Sequence, residues 1–271
     1  MSLPVAVLGY RAFRLPRQGH GLEECQDALA NDAERGRFAI ADGAAESPYS
    51  SLWAHLLVDE FVRQSDRLPN WSNWLPSLQE RWSAQVTVHE RWVGHAARFV
   101  NGGAQTAESA EAAVPWYLEP GLVQGAFATF LGLVIEDHSW FALAVGDSCL
   151  FQLRQGELIR AFPITRAADF NNAPWLVGSR TSPIEVPHKN GVQQMGDCRS
   201  GDRLWLMTDA LAQWFLIQAE SGGKPWLALE PLVNAAAEDA VVQQAFAAWI
   251  EGLRAARQLR NDDVTLLAIS L

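Results

Sequence analysis

The sequence lacks several features that would place it in other classes of protein. None of its 271 residues belongs to an unbroken run of eighteen apolar residues, so it predicts no membrane-spanning helix and no membrane partner. The apolar N-terminal stretch follows no basic residues, which favours a first strand over a signal peptide. The three cysteines, Cys25, Cys149 and Cys198, match neither a zinc pattern nor a disulfide framework, and we expect a cytoplasmic protein.

Basic residues are also scarce: 21 Lys and Arg stand against 31 Asp and Glu, a formal net charge of −10. A nucleic-acid surface needs clustered Lys and Arg, so we expect no nucleic-acid partner. The acidity favours either solubility alone or carboxylates that converge on metal ions, and only the carboxylate positions can separate these alternatives. Tryptophan is abundant, with 12 residues. The stretch from Trp71 to Trp92 is either helix packing or a docking face.

Short apolar segments and helical periodicity indicate the order of the elements. Continuous apolar runs predict buried strands at 37–41, 129–135, 140–145, 203–208 and 264–269. Amphipathic spacing predicts helices at 51–64, 74–100, 211–219 and 235–259, with irregular segments at 102–120 and 163–187. Strands do not alternate singly with helices, so the pattern favours an α+β sandwich of sheets with helices outside. We expect one domain, 1–271.

Aspartates recur where the predicted strands end. Asp42, Asp147 and Asp209 follow three of these strands, and Asp262 with Asp263 precedes the last one. If the last strand runs antiparallel to its partners, these acids meet at one rim. Crowded carboxylates repel each other, and a hard divalent cation with oxygen ligands would relieve that repulsion. Each aspartate alone could instead serve a turn, a helix N-cap or a solvated loop.

Six motifs resemble those of the metal-dependent protein phosphatase family, type 2C, and are most similar to a bacterial subgroup. In chain order they are Cys25-Gln26-Asp27-Ala28, Ala41-Asp42-Gly43-Ala44, Gly125-Ala126-Phe127-Ala128-Thr129, Val145-Gly146-Asp147-Ser148, Leu206-Met207-Thr208-Asp209 and Asp262-Asp263-Val264-Thr265. The resemblance extends from about residue 20 to the C-terminus. It implies a four-layer α-β-β-α sandwich of two antiparallel sheets flanked by helices.

The resemblance also implies a set of metal ligands. Asp42 would bridge two Mn²⁺ or Mg²⁺ ions, and the Gly43 carbonyl would bind one of them. Asp209 and Asp262 would hold the other ion. Asp147, together with Asp209, would be placed for a weaker third ion. No organic cofactor is implied.

The reaction that the resemblance implies is hydrolysis of phosphoserine and phosphothreonine in proteins. A water that bridges two divalent ions has a lowered pKa and would attack the phosphorus directly. Asp27 would act through metal-bound water. A phosphorylated protein would be the substrate, such as a bacterial serine/threonine kinase or the target of one.

The sequence departs from the family pattern around the site. Ala44, Ala45 and Glu46 stand where the family continues with His-Gly or Met-Gly, and the early phosphate-binding arginine is missing. His20 could contact phosphate, donate a proton or lie on the surface as an ordinary loop histidine. Two alternatives to a protein phosphatase therefore stay open: a pseudophosphatase that binds a phosphopeptide or partner, and a metallohydrolase of small phosphate esters.

Overall fold

The computed structural model of the chain describes residues 7, 9–44, 49–100, 125–171, 173–180 and 190–271. Its strands are β1 (Gly9–Leu15), β2 (Ala28–Asp32), β3 (Arg37–Ala41), β4 (Phe127–Ala128), β5 (Phe130–Glu136), β6 (Ser139–Val145), β7 (Cys149–Arg154), β8 (Glu157–Phe162), β9 (Val177–Gly178), β10 (Val192–Asp197), β11 (Arg203–Met207) and β12 (Val264–Ser270). Its helices are α1 (Ser50–Arg63), α2 (Trp71–Val100), α3 (Asp209–Glu220), α4 (Trp226–Val233) and α5 (Asp239–Ala255).

The strands form two five-stranded sheets and a short two-stranded ribbon. The first sheet has the order β1-β12-β11-β7-β8, the second has the order β10-β6-β5-β3-β2, and β4 pairs with β9. Neighbouring strands are antiparallel in all three. The last strand, β12, lies antiparallel to β11 with Met207 opposite Leu266. The aspartates can meet at one rim only if the last strand is antiparallel to its partners, and β12 has this orientation.

The two sheets pack face to face around an apolar core. Ile40 and Leu133 from the second sheet and Leu206 and Leu267 from the first are fully buried in this layer. Their neighbours along each strand point to the outer faces, because successive side chains of a strand alternate in direction. Both faces of the central strands are covered, which explains why β5, β11 and β12 are continuous apolar runs.

Helices cover both outer faces, so the molecule has four layers. The helix α1 packs on the second sheet through Trp53, Leu57 and Phe61, which share one side of the helix at a spacing of four residues. The helices α3, α4 and α5 cover the first sheet, with Phe215 and Phe246 in the apolar layer. The predicted α+β sandwich of two antiparallel sheets flanked by helices is confirmed.

The predicted helices are present with changed boundaries. The helix α2 begins at Trp71, ahead of the predicted start, and runs unbroken to Val100 although it contains Pro76. Pro76 lies in the second turn and has no N–H to donate to the carbonyl four residues back, and burial of Trp74, Leu75 and Leu78 in the core offsets that loss. The prediction of a helix at 235–259 was too long. The helix α5 begins at Asp239 and ends at Ala255, and Arg257 then adopts the left-handed conformation (φ 56°).

Several elements were not predicted. The hairpin of β7 and β8 turns at Gln155 and Gly156, both with positive φ (53° and 74°), which is the geometry of a two-residue hairpin turn. In its second strand, Glu157 and Arg160 break up the apolar residues, so no long apolar run is present. The short helix α4 contains Pro231 and follows Pro225, and these prolines hide it from a search for helical periodicity. The irregular segment 163–187 is described as far as residue 180. The segment 102–120 lies outside the described residues.

The tryptophan-rich stretch packs into the core as far as its side chains are described. Trp71, Trp74 and Trp82 are buried, and Trp71 and Trp74 contact Phe130 of the second sheet. Of the two interpretations, helix packing is the correct one for these three residues. Trp92 lies outside the described side chains. Within the described part of the chain, no helix is both long and apolar enough to cross a membrane.

Candidate active site

Strand ends bring the aspartates to one rim of the sandwich. Asp42 follows β3, and its carboxyl group interacts electrostatically with Asp27, Asp147, Asp262 and Asp263. These residues come from four separate places in the chain. The rim exists because β12 is antiparallel to β11, which puts the start of one strand beside the end of the other. We call this group, with Asp209 at the start of α3, the acidic rim.

Asp27 is a fully buried member of the acidic rim. Its Oδ2 accepts hydrogen bonds from the hydroxyl groups of Thr208 (2.9 Å) and Thr265 (2.8 Å). Its Oδ1 is buried and has no hydrogen-bond partner. Burial raises the pKa of Asp27 to about 7, and the nearby Asp263 adds to this rise while the two hydroxyl groups oppose it. One carboxylate oxygen is therefore held in place and the other is left for a ligand.

Asp42 is held at the end of β3 by Thr129. Its backbone N–H donates to the Thr129 hydroxyl (3.0 Å), and the Thr129 N–H donates to the Asp42 carbonyl (2.8 Å). Burial raises the pKa of Asp42 well above its ordinary value, and the surrounding carboxylates raise it further. The next residue, Gly43, lies close to the backbone of two other segments. A Cβ there would lie 2.9 Å from the Gln26 carbonyl oxygen and 3.0 Å from the backbone of Ser50. The close approach of Gln26 and Ser50 therefore requires glycine at position 43.

Asp147 occupies the turn between β6 and β7. The preceding Gly146 has φ 100°, a conformation that side chains disfavour, and a Cβ there would lie 2.7 Å from Thr129. The carboxyl group of Asp147 is 4% exposed, and its Oδ1 has no hydrogen-bond partner. Burial raises its pKa to about 6, while Arg260 acts in the opposite direction. It is the second carboxylate of the acidic rim with a buried, unpaired oxygen.

Asp209 and Asp262 both form ion pairs with the side chain of Arg260. The guanidinium of Arg260 pairs through Nη2 with Asp209 Oδ2 and through Nε with Asp262 Oδ2, the latter at 3.3 Å. The sequence did not single out Arg260, because only the folded loop brings it to Asp209, 51 positions away in the chain. Among the described residues, no three His, Cys, Asp or Glu side chains converge closely enough to ligate one ion. The guanidinium of Arg260 lies between the carboxylates of Asp209 and Asp262.

Asp263 has a structural role that the sequence did not reveal. It is buried, and its two carboxylate oxygens accept hydrogen bonds from the backbone N–H groups of Arg17 and Gln26, both at 2.7 Å. The residue therefore clamps both ends of the loop between β1 and β2 against the start of β12. This loop carries Asp27, so Asp263 helps to position that carboxylate.

His20 lies in the same loop, and its backbone N–H donates to the Arg17 carbonyl (3.2 Å). Its Nδ1 is 3.3 Å from Glu24 Oε1, and Glu24 also accepts a hydrogen bond from the Gly21 N–H (2.8 Å). For the described residues, the structure gives no contact between His20 and an aspartate of the acidic rim. Ala44 is the only residue of Ala44-Ala45-Glu46 that is described. His20 as a catalytic residue stays a prediction.

The acidic rim fits divalent cations chemically. It offers carboxylate oxygens, the donors that Mg²⁺ and Mn²⁺ prefer. Two of these oxygens, Asp27 Oδ1 and Asp147 Oδ1, are buried without partners, although buried polar atoms are normally satisfied. Burial raises the pKa values of Asp27, Asp42 and Asp147, and neighbouring carboxylates raise them further, so a cation would stabilise their charged forms.

Comparison with known families identifies the arrangement. The profile of the protein phosphatase 2C family matches residues 20–261. The chain belongs to that family. The predicted family is therefore confirmed, and the chain is a metal-dependent protein serine/threonine phosphatase. No curated protein matched the sequence.

Solved phosphatase structures of the 2C type share the fold at low sequence identity. The catalytic domain of the serine/threonine protein phosphatase PstP, in complex with two manganese ions, is 18% identical with a TM-score of 0.54, and the alignment covers 97% of this chain and 98% of that one. PstP/Ppp of Mycobacterium tuberculosis is 19% identical, with a TM-score of 0.53 and coverage of 98% and 99%. The S. agalactiae serine/threonine phosphatase is 14% identical, with a TM-score of 0.54 and coverage of 97% and 100%.

Proposed function

We propose that this 2C phosphatase hydrolyses phosphoserine and phosphothreonine at the acidic rim. The strongest support for the acidic rim as the active site is that one oxygen each of Asp27 and Asp147 is buried without a hydrogen-bond partner. Two divalent cations, Mn²⁺ or Mg²⁺, would supply there a nucleophilic water of lowered pKa and would offset charge on the phosphoryl oxygens. Binding of two manganese ions by the PstP catalytic domain agrees with this number.

The ligand roles follow the family motifs and the geometry of the rim. Asp42 would serve both cations, with the Gly43 carbonyl on one of them. Asp209 and Asp262 would serve the other. Asp147 would hold a weaker third cation through the oxygen that has no partner. Thr129 fixes the backbone on both sides of the Asp42 peptide unit, so the bridging carboxylate starts from a rigid strand end.

Asp27 would orient water rather than bind phosphate. Thr208 and Thr265 both donate to Oδ2, which fixes the plane of the carboxylate. The free Oδ1 can then accept a hydrogen bond from a water in the acidic rim. A carboxylate held in this way contributes by orientation, since misplacement by about 1 Å can lower a rate by about a hundredfold.

A phosphorylated protein is the substrate that the family implies, and we propose a bacterial serine/threonine kinase or its target. The segment at 163–187 supports a protein over a small ester. The Trp175 carbonyl packs on Gly146, next to Asp147, while the Trp175 side chain is 59% exposed. An exposed aromatic side chain, on the residue whose backbone meets Gly146, offers an apolar contact to a peptide. A cytoplasmic location remains our proposal, supported by three buried, unpaired cysteines.

Phosphate release tests this function. The purified protein would be assayed with a phosphothreonine peptide and with p-nitrophenyl phosphate, in Mn²⁺, Mg²⁺ or EDTA. We expect release from both substrates that depends on metal and stops in EDTA. Folded protein that releases no phosphate with either metal would instead indicate the pseudophosphatase, which no observation on the structure favours. Release from the small ester alone would point to a metallohydrolase of small phosphate esters.

A further inference from the structure

Arg260 makes contacts that differ from those of Arg254, which lies at the end of α5. Its guanidinium bridges Asp209 and Asp262. By contrast, Arg254 is buried and donates to the carbonyls of Pro16 (3.2 Å) and Asp262 (2.6 Å), which ties the loop to the body of the fold. Arg254 therefore positions the loop backbone, while the side-chain contacts that the structure gives for Arg260 are with carboxylates of the acidic rim.

We propose that Arg260 is an internal counter-cation that competes with a divalent ion for Asp209 and Asp262. This inference rests on the proposed function, which assigns both carboxylates to one ion. A metal ion needs its carboxylate oxygens at about 2.0–2.2 Å. A guanidinium between two carboxylates occupies that space. The guanidinium holds Oδ2 of both carboxylates, so an ion that binds these two oxygens displaces Arg260.

The structure provides a route for this exchange. The Arg260 side chain is 37% exposed, so its charged group can turn into water while its aliphatic part stays on the surface. The loop backbone need not move, because the Arg254 guanidinium continues to hold the Asp262 carbonyl. A partly exposed ion pair is weak, since water screens it. A divalent ion carries twice the charge of the guanidinium and should displace it.

Two consequences separate this role from an ordinary surface ion pair. In the metal-free protein, Arg260 offsets the repulsion between carboxylates of the rim and so stabilises the fold. In the metal-bound protein it makes no such contribution. Arg260 should therefore weaken metal binding and raise the stability of the metal-free form alone.

The test is a calorimetric titration of metal-free protein with Mn²⁺, comparing wild type, Arg260→Gln and Arg257→Gln. Arg257 is an exposed arginine in the same loop and serves as the matched control. We expect Arg260→Gln to bind one Mn²⁺ about three- to tenfold more tightly, given the strength of exposed ion pairs. We expect a lower melting temperature for this variant without metal and the wild-type value with saturating Mn²⁺. Arg257→Gln should match wild type in both measurements.

Three results would overturn the inference. They differ in whether the proposed function is refuted as well. Unchanged or weaker Mn²⁺ binding by Arg260→Gln, with normal binding by wild type, would refute the competition and leave the proposed function untouched. Unchanged Mn²⁺ binding with weaker inhibition by inorganic phosphate would assign Arg260 to the phosphate instead. No Mn²⁺ binding by wild type would refute the metal site itself and the proposed function with it.

Discussion

Two regions of buried carboxylate lie at opposite ends of the same strand, β11, and differ in how their charge is balanced. Asp202 precedes the strand and is 1% exposed. It accepts hydrogen bonds from Arg154 Nε (2.8 Å), Arg154 Nη2 (2.6 Å), Gln152 Nε2 (2.9 Å) and the Arg199 N–H (3.0 Å). Asp209 follows the strand and belongs to the acidic rim, roughly 20 Å away at 3.3 Å per residue.

Two carboxylates of the acidic rim are less completely hydrogen-bonded than Asp202. Asp27 and Asp147 each keep a buried oxygen without a hydrogen bond, and the pKa values of both are raised. A buried carboxylate that the chain itself satisfies has a structural role. A group of carboxylates that the chain leaves unsatisfied needs a cation from solution. This difference separates the structural end of the sandwich from the end that we propose to be reactive, and the following variants test it in order of decreasing effect.

The largest effect is expected for the acidic rim. Asp42→Asn, and separately Asp209→Asn, should lower kcat for p-nitrophenyl phosphate in Mn²⁺ by about a thousandfold, because a metal centre supplies several kcal/mol of transition-state stabilisation. Circular dichroism should show an unchanged fold. Full activity in both variants would remove these carboxylates from the metal site.

The second effect concerns stability at the other end of β11. Asp202→Asn leaves the Arg154 guanidinium without its buried partner and should lower the free energy of unfolding by about 3 kcal/mol. Activity per folded molecule should not change. Asp197→Asn is the matched control, since Asp197 also pairs with Arg154 but is 52% exposed, and it should cost at most about 1 kcal/mol. A loss of kcat in Asp202→Asn would erase the distinction between the two ends.

A smaller effect is the pH dependence that Asp27 confers on the metal-free protein. Its pKa is about 7 in the fold and about 3.9 in an unfolded chain. The folded state thus binds the proton more tightly, and the stability from Asp27 is complete below about pH 4 and lost as the pH rises towards 7.

Urea unfolding of wild type and Asp27→Asn in EDTA measures this dependence. Relative to wild type, the variant should gain on the order of 2 kcal/mol between about pH 4 and 7, and Mn²⁺ should abolish the gain. A difference between the two proteins that is constant with pH would mean that Asp27 is ionised in the fold without metal.

The smallest effect is expected for His20, which pairs with Glu24 in a largely exposed contact. His20→Ala should raise KM or lower kcat by no more than about fivefold, the range of a contact worth about 1 kcal/mol. Glu24→Gln is the control, because it removes the partner and keeps the imidazole. Identical kinetics for His20→Ala and wild type would leave His20 as a loop residue.

Much of the architecture could be predicted, because the strands around the site are buried on both faces. Such strands are continuous apolar runs, and an aspartate directly after one marks the rim of a sheet, as at Asp42 and Asp147. The hairpin of β7 and β8 was missed because Gln152 interrupts the apolar run of β7, and Arg160 interrupts that of β8. The contacts of Asp263 and Arg260 could not be predicted, since each depends on a loop that only the folded chain brings near.

The most direct measurement is the anomalous scattering of manganese in a crystal grown with Mn²⁺. We expect two strong peaks at the acidic rim, one beside Asp42 and Gly43 and one reached by both Asp209 and Asp262, with the Arg260 side chain turned away. We expect no peak at Asp202, whose oxygens already have partners. A crystal of folded protein with no manganese at the rim, and Arg260 still between Asp209 and Asp262 at saturating metal, would contradict the account.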